Sequence, residues 1–124
     1  MKTKHSSHHL GAVAERNALR YLQRRGLTLI TRNYRTRFGE IDLIMQHGHV
    51  VVFVEVRYRK NDDFGRAAET ITRGKRRRIA AAAEQFLMSH SRRGNPTARF
   101  DVVTINAADS HRPVEWFQNA FAAD

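Results

Sequence analysis

Three acidic residues stand in the most strand-like part of the chain. The stretch "GEIDLIMQHGHVVVFVEVRYRK", Gly39 to Lys60, alternates or runs apolar, yet carries Glu40, Asp42, Glu55 and Arg57. A sheet favours Val or Thr at such positions. Gly48 suits the first central position of a type II′ turn, so Gly48-His49 reads as a two-residue hairpin loop. Counting back from it, His47 faces Val50, Met45 faces Val52, Leu43 faces Val54 and Ile41 faces Val56. The opposite face then sets Ile44 against Phe53, Asp42 against Glu55 and Glu40 against Arg57. A slip of one residue would mix the two faces, so pattern and turn chemistry favour the same register.

Like charges directly opposed in a sheet are destabilising, and partial burial raises the cost. A divalent cation shared by Asp42 and Glu55 would remove that penalty. Mg²⁺ suits the site because it favours oxygen ligands and needs only one or two protein carboxylates; Mn²⁺ takes similar donors. Arg57, two residues beyond Glu55, falls on the same face. The structural alternative pairs these acids with neighbouring cations or leaves them on a wet sheet edge. Glu15 adds a third acid. On a helical wheel it lies between Leu22 and Leu19, beside Gly11 and Ala18, at the apolar margin. A helix packed on the sheet would deliver it to the Asp42-Glu55 site; the alternative is a boundary glutamate turned to water or paired with Arg16 or Arg20.

The positioning elements follow from periodicity. Leu10 to Arg25 reads as an amphipathic helix with Leu10, Val13, Ala14, Ala18, Tyr21 and Leu22 on one face, stopped by Gly26. "LTLITRNYR" (27–35) reads as a strand, followed by the hairpin and a short helical piece around Ala67 to Ile71. A second helix runs from near Gly74 to about Ser89, with Ile79, Ala83, Phe86 and Leu87 inward. Arg99 to Asn106 is a further strand, and Val114 to Phe117 a short edge strand before a terminal turn. This order predicts an α/β fold with a mixed central sheet flanked by helices. Residues 1–9 read as a disordered tail and residues 10–124 as one domain.

Charge points to the partner. The 124 residues carry a formal net charge of +10 and a pI near 11.2, with no cysteine. That excess implies a polyanion, with nucleic acid ahead of a membrane surface or an acidic protein. No disulfide or thiolate metal site is possible, no apolar leader or span is visible, and a cytoplasmic location is expected. The run Lys75, Arg76, Arg77 and Arg78 opens the second helix, where cations oppose the helix dipole and bound phosphate would compensate. Arg57, Arg59 and Lys60 extend the positive face, whose alternative is simple solvation. Tyr34, Phe38, Tyr58 and Phe64 are scattered nearby, and no base-reading motif occurs, so backbone and shape should lead recognition.

"GAVAERNALRYL", "RNYRTRFGEIDLI", "VVFVEVRYR", "FGRAAETITRGKRRRI", "RFDVV" and "EWFQNAF" together resemble the YraN-type uncharacterised protein family. That family is placed in the restriction-endonuclease-like (PD-(D/E)XK) superfamily, near Holliday-junction resolvases. The resemblance spans Leu10 to Phe121 and implies a core of helix, strand hairpin, helix and strand. It implies Glu15, Asp42 and Glu55 as the acidic set, with Val56 adding a backbone carbonyl to the metal. The superfamily's lysine position is Arg57 here. Arginine stays protonated and cannot serve as a base, though it can hold a phosphate. Water activation would then fall to the divalent ion, with Lys75 as a candidate substitute amine.

The expected function is a Mg²⁺- or Mn²⁺-dependent endonuclease acting on DNA, favoured over RNA, with branched or recombination intermediates as candidate substrates. Asp42 and Glu55 would ligate the metal and Glu15 assist; Arg57 and Lys75 would hold phosphate, and Arg76 to Arg78 the flanking backbone. Two alternatives stand beside it: a catalytically silent nucleic-acid-binding module, and a basic protein that docks an acidic partner. Homodimerisation is expected by analogy with resolvases.

Overall fold

The structure, a computed structural model, describes residues 3–59, 71–90, 97–106 and 111–122. Its elements are α1 (Thr3–Arg24), β1 (Thr28–Arg35), β2 (Glu40–His47), β3 (Val50–Arg59), α2 (Arg73–His90), β4 (Thr97–Asn106) and β5 (Val114–Phe121). The five strands form one sheet in the order β1-β2-β3-β4-β5. Neighbours are antiparallel except β3 and β4, which run parallel across the connection that contains α2. This is the mixed-sheet α/β arrangement that the sequence predicts.

Each face of the sheet is covered by one helix. Ala14, Ala18, Leu19 and Leu22 of α1 close over Leu43, Met45, Val52, Val54 and Val103. On the other side Ile79, Ala82, Ala83 and Phe86 of α2 close over Ile41, Ile44, Val51, Phe53 and Val102. A sheet buried on both faces needs continuous apolar runs in its middle, which explains "VVVFV" at the centre of β3. The hairpin turn is as expected: Gly48 has φ 63°, and His47 pairs with Val50, Met45 with Val52, Leu43 with Val54 and Ile44 with Phe53.

Two features differ from expectation, and one expected element lies outside the described residues. Helix α1 begins at Thr3 rather than near Leu10, and no proline or glycine stands between the two to stop it. The helical piece around Ala67 lies outside the described residues. Strand β5 runs to Phe121 where a turn was expected after Phe117.

The extension of β5 has a clear cause. Asp101 on β4 is fully buried, and its Oδ1 accepts from the Asn119 backbone N–H at 2.9 Å. Its Oδ2 accepts from the Trp116 indole at 2.9 Å, and Arg99 Nε contacts both oxygens at 3.0 and 3.1 Å. Arg99 in turn donates to His47 Nδ1 at 3.0 Å. The β4–β5 register shifts between Phe100 and Val102, and Asn119 takes a left-handed φ of 51° that asparagine tolerates. One carboxylate thus carries the strand across its irregularity. Replacing it would strand a half-buried guanidinium and two N–H donors. Asp101→Ala is therefore expected to lower stability by about 3–5 kcal/mol in urea unfolding, more than any single substitution on the exposed face of α2.

Candidate functional site

The β2–β3 ladder runs from the hairpin to Leu43 and Val54 and then changes character. At the next step the Asp42 side chain enters in place of a main-chain acceptor: Oδ2 takes the Val56 backbone N–H at 2.8 Å. Aspartate is short enough to compete with the backbone in this way. The consequence is local. Ile41 and Ile44, three residues apart, both pack on the α2 side, while Leu43 packs under α1. The expected placement of Ile41 beside Leu43, opposite Val56, is therefore corrected, because alternation slips once at Asp42. Glu40 does not face Arg57 either; it lies 3.6 Å from Arg35 on β1. Strand β1 deforms alongside, with Asn33 left-handed at φ 52° between Arg32, which pairs with Leu43, and Tyr34, which pairs with Ile41.

Asp42 and Glu55 nonetheless meet. Both line a cleft of about 270 Å³ together with Gly39, Glu40, Lys75, Arg78 and Ile79. Glu55 is buried at 6% exposure and follows Phe53 on the α2 side of β3. Its Oε2 lies 2.6 Å from Lys75 Nζ. Helix geometry delivers that lysine. Thr72 caps α2, its hydroxyl accepting the Lys75 N–H at 3.1 Å and its carbonyl the Arg76 N–H at 2.9 Å. The capped first turn aims Lys75 down into the cleft. Asp42 Oδ1 and Glu55 Oε1 take no hydrogen bond from the described residues.

Burial first, and the Glu55 carboxylate second, push the Asp42 carboxyl up to about 8; the Val56 N–H and Lys75 only partly offset them. Glu15 is also raised, chiefly by burial, with Glu40 and Glu55 adding to the shift. Arg32 and a hydrogen bond from Asn33 act against it. Glu15 therefore stands within electrostatic reach of the acids, on the side of Asn33, and is not part of the cleft lining. Among the described residues no group of three or more His, Cys, Asp or Glu side chains is arranged to hold an ion. Glu40, Asp42 and Glu55 all line the cleft with a lysine, but they do not form a three-acid cage.

The basic residues divide between two clefts. Arg78 shares the acidic one, whereas Arg73, Arg76 and Arg77 line a second of about 420 Å³ with Ala120, Phe121 and Ala122 at the end of β5. Arg57 is half-buried and makes no ion pair with either acid among the described residues. Arg59 is half-buried at the end of β3, and Lys60 lies outside the described residues. Sequence reasoning passed over Gly39. A Cβ there would sit 2.8 Å from the Arg78 carbonyl oxygen, so glycine lets the β1–β2 turn touch α2. The dipeptide Phe38-Gly39 beside an acidic strand was the available signal.

Two outcomes follow from this geometry. Gly39→Ala is expected to part the turn from α2 and lower stability by about 1–3 kcal/mol in urea unfolding. The second concerns pH. Folded Asp42 keeps its proton between its ordinary value and about 8, while the unfolded chain releases it. The folded state then binds more protons, so without metal stability falls as pH rises through that window. Asp42→Asn keeps an oxygen for the Val56 N–H and is expected to flatten this decline, gaining about 1–3 kcal/mol at alkaline pH in urea titrations.

Fold and site together define a small α/β protein with an acidic, lysine-bearing cleft where a β-ladder opens beneath a basic helix. Residues 14–105 match the Uncharacterised protein family UPF0102. The chain belongs to that family, the YraN type. It is 48% identical over 118 residues to a UPF0102 protein of Vibrio campbellii, covering 94% of this chain and 95% of that one. A UPF0102 protein of Saccharophagus degradans is 49% identical over 111 residues, covering 90% and 91%. UPF0102 protein Pfl01_4685 of Pseudomonas fluorescens is 49% identical over 112 residues, covering 90% and 91%.

Proposed function

We propose that this protein is a Mg²⁺- or Mn²⁺-dependent phosphodiesterase that cleaves DNA. The observation that carries the reading is the shared cleft of Asp42 and Glu55, with one oxygen on each unbonded among the described residues and Lys75 at hand. Burial and mutual repulsion leave Asp42 short of positive charge, which a divalent cation would supply. The donors fit such an ion. Two carboxylates suffice for Mg²⁺ when waters and phosphate oxygens complete its shell. In a strand, N–H and C=O of one residue point to the same side. The Val56 carbonyl is therefore directed to the edge where its N–H meets Asp42, a third oxygen beside the pair.

When bound, the ion would polarise a scissile phosphate and acidify water. The chain's own residues supply the rest. Asp42 and Glu55 would fix the ion's position, and Glu15 would raise the negative potential behind them. Lys75 would orient the attacking water or neutralise charge on the phosphate. An amine can exchange its proton where the guanidinium of Arg57 cannot, so Lys75 is the better candidate for the superfamily's missing lysine. Arg78 would hold the phosphate at the cleft mouth. Arg73, Arg76 and Arg77 would hold the next along the backbone, with Arg57 and Arg59 on the flanking side. Nucleic acid is the partner that fits a net charge of +10.

A second reading has an observation of its own: the Lys75–Glu55 ion pair already neutralises one acid without metal. On that reading the protein binds nucleic acid and turns nothing over. Cleavage of linear, single-stranded and branched DNA with Mg²⁺ or Mn²⁺ separates the two. The nuclease reading expects metal-dependent cleavage, loss of activity in Asp42→Ala, and a fall of about a hundredfold or more in Lys75→Ala. Arg57→Ala should weaken binding more than the cleavage step. Undiminished cleavage by Asp42→Ala would remove the site; salt-sensitive binding with no cleavage in any metal would establish the silent module.

A further inference from the structure

The turn between β1 and β2 carries a feature that the proposed chemistry does not use. Phe38 is 43% exposed, next to Gly39 and Glu40, which line the acidic cleft. A single exposed apolar side chain is ordinary. This one differs from Ile30 and Met88, the other large exposed hydrophobics among the described residues, in where and how it is held.

The turn beneath it is closed by Thr36. The Thr36 hydroxyl accepts the backbone N–H groups of Phe38 and Gly39 at 3.0 and 3.1 Å and donates to the Gly39 carbonyl at 3.0 Å. The Thr36 N–H donates to that carbonyl as well, at 2.8 Å. Gly39 abuts the backbone of Arg78 so closely that a methyl group would not fit, which fixes the turn against α2. The aromatic ring thus stands on a rigid base at the rim of the cleft. The Arg37 guanidinium lies over the ring at 5.0 Å, and Arg35 and Arg78 flank the same rim.

A ring on a fixed turn beside cations, with a solvent-facing surface, has the chemistry of a nucleobase platform. Stacking needs only a π-face and so accepts any base, but the base must be free of its own stack. Arginine on a neighbouring turn supplies both a cation–π contact and a phosphate contact.

We propose that Phe38 is a stacking platform that receives an unpaired base at the mouth of the Asp42-Glu55 cleft, which makes the preferred substrate a nucleic acid with single-stranded or frayed bases. The inference rests on the nucleic-acid reading given above and adds the substrate's class to it. A base seated on Phe38 places its own phosphate toward Gly39 and Arg78, at the cleft entrance. A fully paired duplex offers no such base.

The test is binding of a fluorescently labelled single-stranded oligonucleotide and of a blunt duplex, followed by anisotropy at low salt in the absence of divalent metal. Phe38→Ala is expected to weaken single-strand binding about five- to hundredfold and duplex binding by less than about twofold. Phe38→Tyr should restore binding, whereas Phe38→Leu, which keeps bulk but not the ring, should not. Unfolding curves of the three variants should overlay that of the parent protein, since the residue is exposed. A 2-aminopurine in the single strand should be quenched by the parent protein and not by Phe38→Ala. Single-strand binding unchanged in both Phe38→Ala and Phe38→Leu, with the parent protein binding normally, overturns the platform and leaves the nucleic-acid reading standing. A parent protein that binds neither probe overturns both.

Discussion

One hydrogen bond organises this molecule's cleft: the carboxylate of Asp42 accepting the main-chain N–H of Val56. It stands where a carbonyl of β2 would otherwise complete the ladder. A buried N–H must be satisfied, so the aspartate is held, and the strand alternation gives way around it. Because the side chain is spent on β3, it arrives beside Glu55, and two carboxyl groups come to lie in one half-enclosed space. Burial and the neighbouring Glu55 hold the Asp42 carboxyl well above its ordinary value, and Lys75 only partly offsets them. A valine at position 42 would give a more regular sheet and no site.

Helix α2 and the β1–β2 turn complete the enclosure from above. Thr72 sets the start of the helix, Lys75 descends to Glu55, and Gly39 lets the turn close on Arg78. The same first helical turn sends Arg73, Arg76 and Arg77 to the neighbouring cleft at the end of β5. Positive charge therefore surrounds a negative centre. A phosphate backbone would be drawn to the rim, while the centre itself would repel it unless a cation is present. Such a field suits a site in which metal and substrate bind together. No helix among the described residues is long and apolar enough to cross a membrane.

Much of this was legible in the residues. Gly48 and the alternating pattern around it determine the hairpin register as far as Leu43 and Val54, and the helical wheel correctly turns Glu15 toward the sheet. Periodicity places both helices and their inner faces. What the pattern could not convey is a side chain that replaces backbone in a ladder. Period-two reasoning assumes an unbroken strand, so it set Ile41 on the wrong face and Glu40 opposite Arg57. The length of β5 was hidden for a related reason: Asp101, a buried carboxylate far away in sequence, holds Trp116 and Asn119 in line. The stripe of Ile79 and Phe86 turns Lys75 toward the sheet, but its pairing with Glu55 is a contact between distant segments that only the packing of α2 on β3 creates. Local propensity carries no record of such contacts.

The decisive property of the cleft is whether Asp42 and Glu55 jointly hold a divalent cation. The most direct measurement is carboxyl ¹³C NMR of the intact protein near neutral pH as Mg²⁺ is added. Concerted shifts of the Asp42 and Glu55 carboxyl resonances at millimolar metal, with loss of the Asp42 proton, are the predicted result. Resonances of these two residues that stay fixed at that concentration would contradict it.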